Sequence, residues 1–218
     1  MYYDLCVKAD SAEETPPFGK QLGWHGFGVL FAGAQEMEAA MAKGLDVYTG
    51  VSIRAGKAGE LSRLARSLRM RAEIIAVESA IPEVSRAALE TEEVDILVMD
   101  PKVETGFNHI TARLAQKSNV AICFSFRELL HSHGKTRADA FHSYLEAARL
   151  CRKFHAPFVI SSCAESRWDL RSPPDLMSFG RLLGFTDPQI KEALSGSIGR
   201  ENRKRLSGKW VMPGVEIE

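Results

Sequence analysis

The chain has 218 residues, 45% of them hydrophobic and 26% charged, a balance that supports one globular domain over residues 1–218 with a real core. Lys plus Arg equals Asp plus Glu at 28 each, so no global field announces a nucleic-acid partner, and any such binding must come from local patches. The opening MYYDLCVKAD has no basic stretch followed by an apolar one, and the longest apolar runs fall far short of the ~20 residues of a membrane helix, so a cytoplasmic chain with no membrane contact is expected.

Taken in order, short β-like runs alternate with helical segments. Residues 2–7 alternate and reach Lys8 and Asp10; residues 11–19, with two prolines and no periodicity, read as a loop. Residues 24–31 form the next strand-like run, followed by a helix over 35–43 that Gly44 stops. A β-branched and aromatic run over 46–53 ends at Arg54. In the helix over 59–70, Leu61, Leu64, Ala65 and Leu68 share a face, and Arg63, Arg66, Arg69 and Arg71 lie largely away from it as a solvated row. Residues 72–77 are apolar and end at Glu78; Pro82 suits the first turn of a short helix.

Residues 94–99 are almost continuous Val, Ile, Leu and Met, as in a strand buried on both faces, and end at Asp100. Asn108 opens a helix over 109–116, and a buried run over 120–124 ends at Ser125. A short helix over 127–133 closes at Gly134, and a longer one covers 137–154. The last strand, 158–160, reaches Ser161 and Ser162, and beyond it only helices are expected, over 173–183, 187–194 and 198–206.

About seven strands alternating with helices demand a parallel sheet with right-handed crossovers. An open doubly wound sheet and a TIM-like (β/α) barrel with extra C-terminal helices both satisfy the pattern. The barrel is favoured because the strands end in polar residues, Lys8, Arg54, Glu78, Asp100, Ser125 and Ser161, which a barrel gathers around one mouth.

Such a mouth suits a metal-assisted phosphoesterase, which needs converging imidazoles and carboxylates. Of the six histidines only His131 and His133 have HxH spacing. They sit at the close of a helix, where side chains two apart diverge, so interaction with the helix C-terminus is the expectation and a metal site is not. Asp10, Glu78 and Asp100 are the acidic candidates; without histidine companions they would hold Mg²⁺ weakly, and as structural groups they would cap helices or pair with Lys8 and Arg54. Ser161, Ser162 and Cys163 stand at a strand end with no identifiable histidine base, so no catalytic residue is assigned. The four cysteines, Cys6, Cys123, Cys151 and Cys163, form neither a CxxC pair nor a tight cluster along the chain, which points to reduced, partly buried thiols.

Basic groups do cluster. Arg200, Arg203, Lys204, Arg205 and Lys209 stand close together, opposed by Glu201. Arg167 and Arg171 flank Trp168, a pattern in which guanidinium groups fork onto phosphate and an aromatic stacks on a base. Equally open is a structural reading, with the two arginines paired to Asp169 and Asp175 and Trp168 filling a gap in the core.

The segment from Phe158 to Gly184, FVISSCAESRWDLRSPPDLMSFGRLLG, resembles ribonuclease P protein component 3, and the Asp-Leu-Arg-Ser-Pro stretch at Asp169–Pro173 is its most specific part. Tyr3-Asp4-Leu5, the 94–97 run into Asp100, and Asn202-Arg203 after Ala193-Leu194-Ser195 are similar too. The resemblance implies a barrel akin to the polymerase-and-histidinol-phosphatase hydrolases without their chemistry, since Cys6-Val7-Lys8 stands where those hydrolases carry His-x-His. It implies a subunit of ribonuclease P, an endoribonuclease that removes the 5′ leader of precursor tRNA through its RNA subunit with Mg²⁺. The implied partners are that RNA, precursor tRNA, component 2 and the other protein subunits. The RNA-binding residues expected are Arg171, Arg203 and Arg205, then Lys8, Arg54, Arg167, Arg200 and Lys204, with no cofactor or metal in the chain itself. The rival reading is a stand-alone metal-dependent phosphoesterase using Asp10, Glu78, Asp100 and a histidine; a third is a helical scaffold whose basic tail is solvated.

Overall fold

Seven runs that alternate inward and outward side chains become strands: β1 (Tyr3–Lys8), β2 (Gly26–Phe31), β3 (Tyr48–Ile53), β4 (Ile74–Glu78), β5 (Ile96–Val98), β6 (Ala121–Ser125) and β7 (Phe158–Ser161). In this computed structural model, which describes residues 1–8, 15–43, 46–102, 107–207, 210–212 and 215–216, they pair in chain order and all parallel. Helices α1 (Thr15–Gln21), α2 (Ala34–Ala42), α3 (Ala58–Leu68), α4 (Pro82–Glu90) and α5 (His109–Ser118) fill the first crossovers. Helices α6 (Phe126–Leu130) and α7 (Gly134–Phe154) fill the last, and α8 (Pro173–Leu182), α9 (Asp187–Ala193) and α10 (Ser197–Leu206) follow β7. The result is a nearly closed TIM-like α/β barrel.

The period-two alternation divides the core into two shells. Phe27, Val29, Val51, Ile75, Val77, Ile122, Phe124 and Ile160 face the helices. Leu5, Leu30, Tyr48, Ile74, Ala76, Ile96, Ala121, Cys123 and Val159 fill the barrel. A Cβ on Gly28 would lie 2.6 Å from the Leu5 carbonyl oxygen, and one on Gly50 would lie 2.7 Å from that of Ile74, so these two glycines make the room that Leu30 and Ile74 occupy.

The seam between β1 and β7 closes through side chains and loop backbone. Cys6 N donates to Ser161 Oγ at 3.3 Å, and Lys8 N donates to the Ala164 carbonyl at 2.9 Å. The fully buried Asp4 carboxylate accepts from Ser161 Oγ and from Ser162 Oγ at 2.5 Å and Ser162 N at 3.2 Å. Burial wins over these hydrogen bonds and pushes the Asp4 carboxyl up to about 6.

Three readings of the sequence need correction. Thr15–Gln21 is helical, not loop: Pro16 and Pro17 occupy its first turn, where the missing N–H groups have no helical partner to lose. Gly134 does not close a helix over 127–133; with φ of +51° it opens α7, and α6 ends at Leu130. The chain after β7 is not helical throughout, since β8 (Trp210–Met212) and β9 (Val215–Glu216) form an antiparallel pair. Asp10, Gly44 and Lys209 lie outside the described residues. Among those described, no helix is long and apolar enough to cross a membrane.

Candidate nucleic-acid interface

The polar strand ends converge as the barrel geometry requires. Glu78, at the end of β4, takes the Lys8 ammonium, accepts from Ser52 Oγ at 2.8 Å, and accepts from Arg54 Nε and Nη2 at 3.1 and 2.8 Å. Burial pulls the Lys8 ammonium below its ordinary range. Arg54 is the outer member of this network and is 72% exposed at its side chain. Asp100, past the end of β5, accepts from the Lys102 N–H at 2.9 Å and caps its own turn.

The loop after β7 lies on the same side of the barrel, because it leaves the C-terminal end of that strand. Here the structural pairing suggested by sequence is overturned. Trp168 is 71% exposed and fills no core gap. Asp169 lies 2.8 Å from His131 Nε2 and accepts from Glu165 N and Ser166 N. Despite its burial, the His131 contact and the backbone N–H groups hold its carboxyl below the usual range. Asp175 accepts from Ser172 Oγ at 2.7 Å in the capping box of α8. Arg167 stacks over the Trp168 ring at 4.7 Å. Arg171 donates to the carbonyls of Trp168 and Leu170 and lies over Phe126. His131 stands at the C-terminus of α6 as expected, its backbone N–H donating to the Arg127 carbonyl at 3.0 Å, and turns its ring to Asp169 across a loop; His133 instead is the N-cap of α7.

The second basic group sits at the opposite end. Helix α10 closes the N-terminal end of the barrel, with Ile198 packed against the inner shell. Arg203 donates to Glu73 Oε1 and to the Val47 carbonyl, both at 2.5 Å, and lies 4.3 Å over the Tyr48 ring. Glu73 in turn accepts from Thr49 N at 2.7 Å, which ties the helix to β3. The Glu73 contact raises the already high basicity of Arg203, although burial opposes it. Asn202 Nδ2 donates to Asp95 at 2.9 Å, and Arg69 meets the same carboxylate at 2.8 Å. Arg205 donates to the Arg69 carbonyl at 3.3 Å, Arg200 donates to the Ser195 carbonyl at 2.8 Å, and Lys204 is exposed. The eight basic residues singled out from sequence therefore form two groups: Lys8, Arg54, Arg167 and Arg171 on the mouth side, and Arg200, Arg203, Lys204 and Arg205 on α10.

One cluster was missed. Cys6, Cys123 and Cys163 stand far apart in the chain, yet their sulfurs all lie within 4.8 Å of one another inside the barrel. All four cysteines are fully buried, not partly so. No local spacing signals such a cluster; only the pairing of the first, sixth and seventh strands around a barrel brings it together.

A parallel barrel whose mouth carboxylate is held by Lys8 and Arg54, with Arg167 and Trp168 exposed in the loop beside it, belongs to the class of TIM-like barrels with cationic mouths. A family model described as RNase P subunit p30 matches residues 1–205. The chain is 30% identical over 226 residues to ribonuclease P protein component 3 of Methanococcoides burtonii, covering 99% of this chain and 93% of that protein. It is 33% identical over 178 residues to the protein of the same name from Methanocaldococcus jannaschii, covering 77% and 76%. A chain of a cryo-EM structure of archaeal ribonuclease P with mature tRNA superposes with a TM-score of 0.83 at 30% identity, over 99% of this chain and 97% of that one. The chain belongs to the RNase P subunit p30 family.

Proposed function

We propose that this chain serves ribonuclease P as an RNA-binding, non-catalytic protein subunit, in the cytoplasm, and that cleavage of the precursor-tRNA 5′ leader is carried out by the enzyme's RNA with Mg²⁺. Family membership supports the place in the enzyme, and the similar chain in an archaeal ribonuclease P with mature tRNA supports RNA and tRNA as partners. Component 2 and the other protein subunits are the protein partners in this reading.

The observation that carries the non-catalytic part is the state of Glu78. Its two oxygens are committed to Lys8, Arg54 and Ser52. To hold a divalent cation it would have to give up its ion pairs with Lys8 and Arg54 and set the metal beside those two positive charges. The same cations suit phosphate oxygens, which guanidinium groups take bidentately. The stand-alone phosphoesterase is accordingly set aside.

The primary RNA contacts in this reading are Arg54, Arg167, Arg171 and Lys8, with Trp168 offering a stacking face. Arg200 and Lys204 come next. Arg203 and Arg205 come last, because their guanidinium groups already bind Glu73, Val47 and Arg69 of the barrel.

Reconstitution tests the whole. Purified chain, ribonuclease P RNA and component 2 are expected to cleave precursor tRNA at low Mg²⁺ more efficiently than the same mixture without the chain. Equal rates with and without it, or turnover of a phosphoester by the lone chain, would refute the proposal.

A further inference from the structure

Three thiols meet in the barrel at a place with no role in RNA contact. Cys6 comes from β1, Cys123 from β6 and Cys163 from the turn after β7. All three are buried, and Cys123 Sγ lies 3.8 Å from Cys163 Sγ. An ion held by thiolates at about 2.3 Å sets its sulfurs roughly 3.8 Å apart in a tetrahedron and about 4.0 Å apart in a plane, so the Cys123–Cys163 edge already has the length a bound ion needs and the other two edges are within 4.8 Å. A disulfide would need about 2.05 Å.

The cluster is held in place by its surroundings. Cys163 N donates to Ser161 Oγ at 3.1 Å, Cys6 N donates to the same hydroxyl at 3.3 Å, and that hydroxyl in turn donates to Asp4. Cys163 adopts φ of +50°, a left-handed conformation that glycine or asparagine takes more readily than cysteine. The thiol is kept at a position where the backbone favours other residues.

We propose that Cys6, Cys123 and Cys163 form a buried three-sulfur site for a single thiophilic d¹⁰ cation, Cu⁺ or Zn²⁺. Soft thiolates select these ions over Mg²⁺ or Ca²⁺. Among the described residues no imidazole or carboxylate joins the three sulfurs, which suits the low coordination of Cu⁺. Three thiolates with Zn²⁺ carry one net negative charge, offset by the one net positive charge of the Lys8, Arg54 and Glu78 group at the same end of the barrel. Binding releases up to three protons, one per thiol, to solvent, with no change of oxidation state. The bound ion would join the first strand to the last at the seam where the backbone ladder is open, so its effect is on barrel stability.

The full chain is purified under reducing, anaerobic conditions, stripped of metal, and titrated separately with Cu⁺ and with Zn²⁺. Each ion is added both to the folded chain and during refolding. One equivalent of at least one ion is expected, with X-ray absorption of the wild-type complex giving three sulfur neighbours at about 2.3 Å and a raised melting midpoint. Cys163→Ala and Cys123→Ser should lose that equivalent, and Cys151→Ser, outside the cluster, should keep it. Binding of neither ion, a first shell of nitrogen or oxygen, retention by the Cys163 and Cys123 variants, or a Cys123–Cys163 disulfide in the reduced preparation would overturn the proposal. The sulfur count needs only the wild type, so a variant that fails to fold does not shield the idea.

Discussion

Asp4 places a carboxylate in the seam where the first strand meets the last, and water reaches none of it. Its hydrogen bonds to Ser161 and Ser162 favour the charged form, but desolvation outweighs them and lifts the carboxyl to about 6 from an ordinary 3.8. A folded-state pKa above the unfolded one means that the native barrel holds the proton more tightly. The stabilisation is therefore full below pH 4 and is lost as pH rises through 6. A shift of this size corresponds to ~3 kcal/mol. Comparing urea midpoints of wild type and Asp4→Asn at pH 4.5 and 7.5 isolates this group from the other carboxylates. The difference between the two proteins should move by about 2 kcal/mol across that window, with the variant favoured at the higher pH. A constant difference would show that Asp4 does not titrate there. In the sequence this residue is visible only as part of a Tyr-Asp-Leu opening; nothing local says that its partners are more than 150 residues away.

At the scale of elements, α10 does more than its composition suggests. A row of Arg and Lys reads as a solvated or RNA-facing helix, yet one side of it seals the barrel. A Cβ on Gly199 would lie 2.6 Å from two atoms of the Tyr48 ring, which is pinned by Tyr3 and by Arg203. Gly→Ala inside a helix ordinarily gains ~1 kcal/mol. Here the overlap with an aromatic that cannot retreat should reverse the sign and cost ~1–3 kcal/mol, read as a drop of about 2–4 °C in melting midpoint per kcal/mol. Gly59→Ala in α3, where the added carbon meets nothing within 4 Å, is the control and should be neutral or stabilising. Equal losses at both sites would mean that α10 does not pack as described.

Other elements were legible for reasons that are local. Asn108 accepts from the backbone of Ile110 and Thr111, and Thr111 Oγ1 accepts from the Asn108 N–H in return, so the start of α5 is written within four residues. Asn108→Ala should cost ~1 kcal/mol of stability by chemical denaturation, while Ser67→Ala on the exposed side of α3 should cost little. The strands were legible because each carries its own alternation or apolar run, and the polar strand ends announced the mouth. The pairing of Glu78 with Lys8 and Arg54 followed from those polar ends; what was not legible depended on residues distant in sequence: the Glu73 partner of Arg203, the exposure of Trp168, and the three sulfurs. Helix α1 was hidden for a different reason, since its two prolines look like a loop unless they fall in a first turn.

For the whole molecule, the governing fact is a net charge of +0 at pH 7 with cations sorted to two ends of a barrel. Long-range attraction cannot draw such a protein to RNA, so affinity must come from phosphates neutralised one by one at short range. The two ends are not equivalent. On the mouth side Arg54 is 72% exposed, and Arg167 stacks on an exposed tryptophan, so both present charge outward from a rigid base. On α10 the guanidinium of Arg203 is forked onto Glu73, and an RNA phosphate would have to compete with a carboxylate that also anchors β3. Removing one cation that neutralises a phosphate should flatten the dependence of log K on log salt by ~0.7–0.9. Arg54→Ala with Arg167→Ala should therefore lower the slope for ribonuclease P RNA by about 1.4–1.8 without moving the melting midpoint. Arg203→Ala should do the opposite, lowering the midpoint and leaving the slope nearly unchanged. Filter binding over a salt series, paired with thermal melts, reads both quantities on the same preparations. If the slope follows Arg203 and ignores the mouth pair, the RNA lies against the N-terminal end of the barrel and the assignment of faces is reversed.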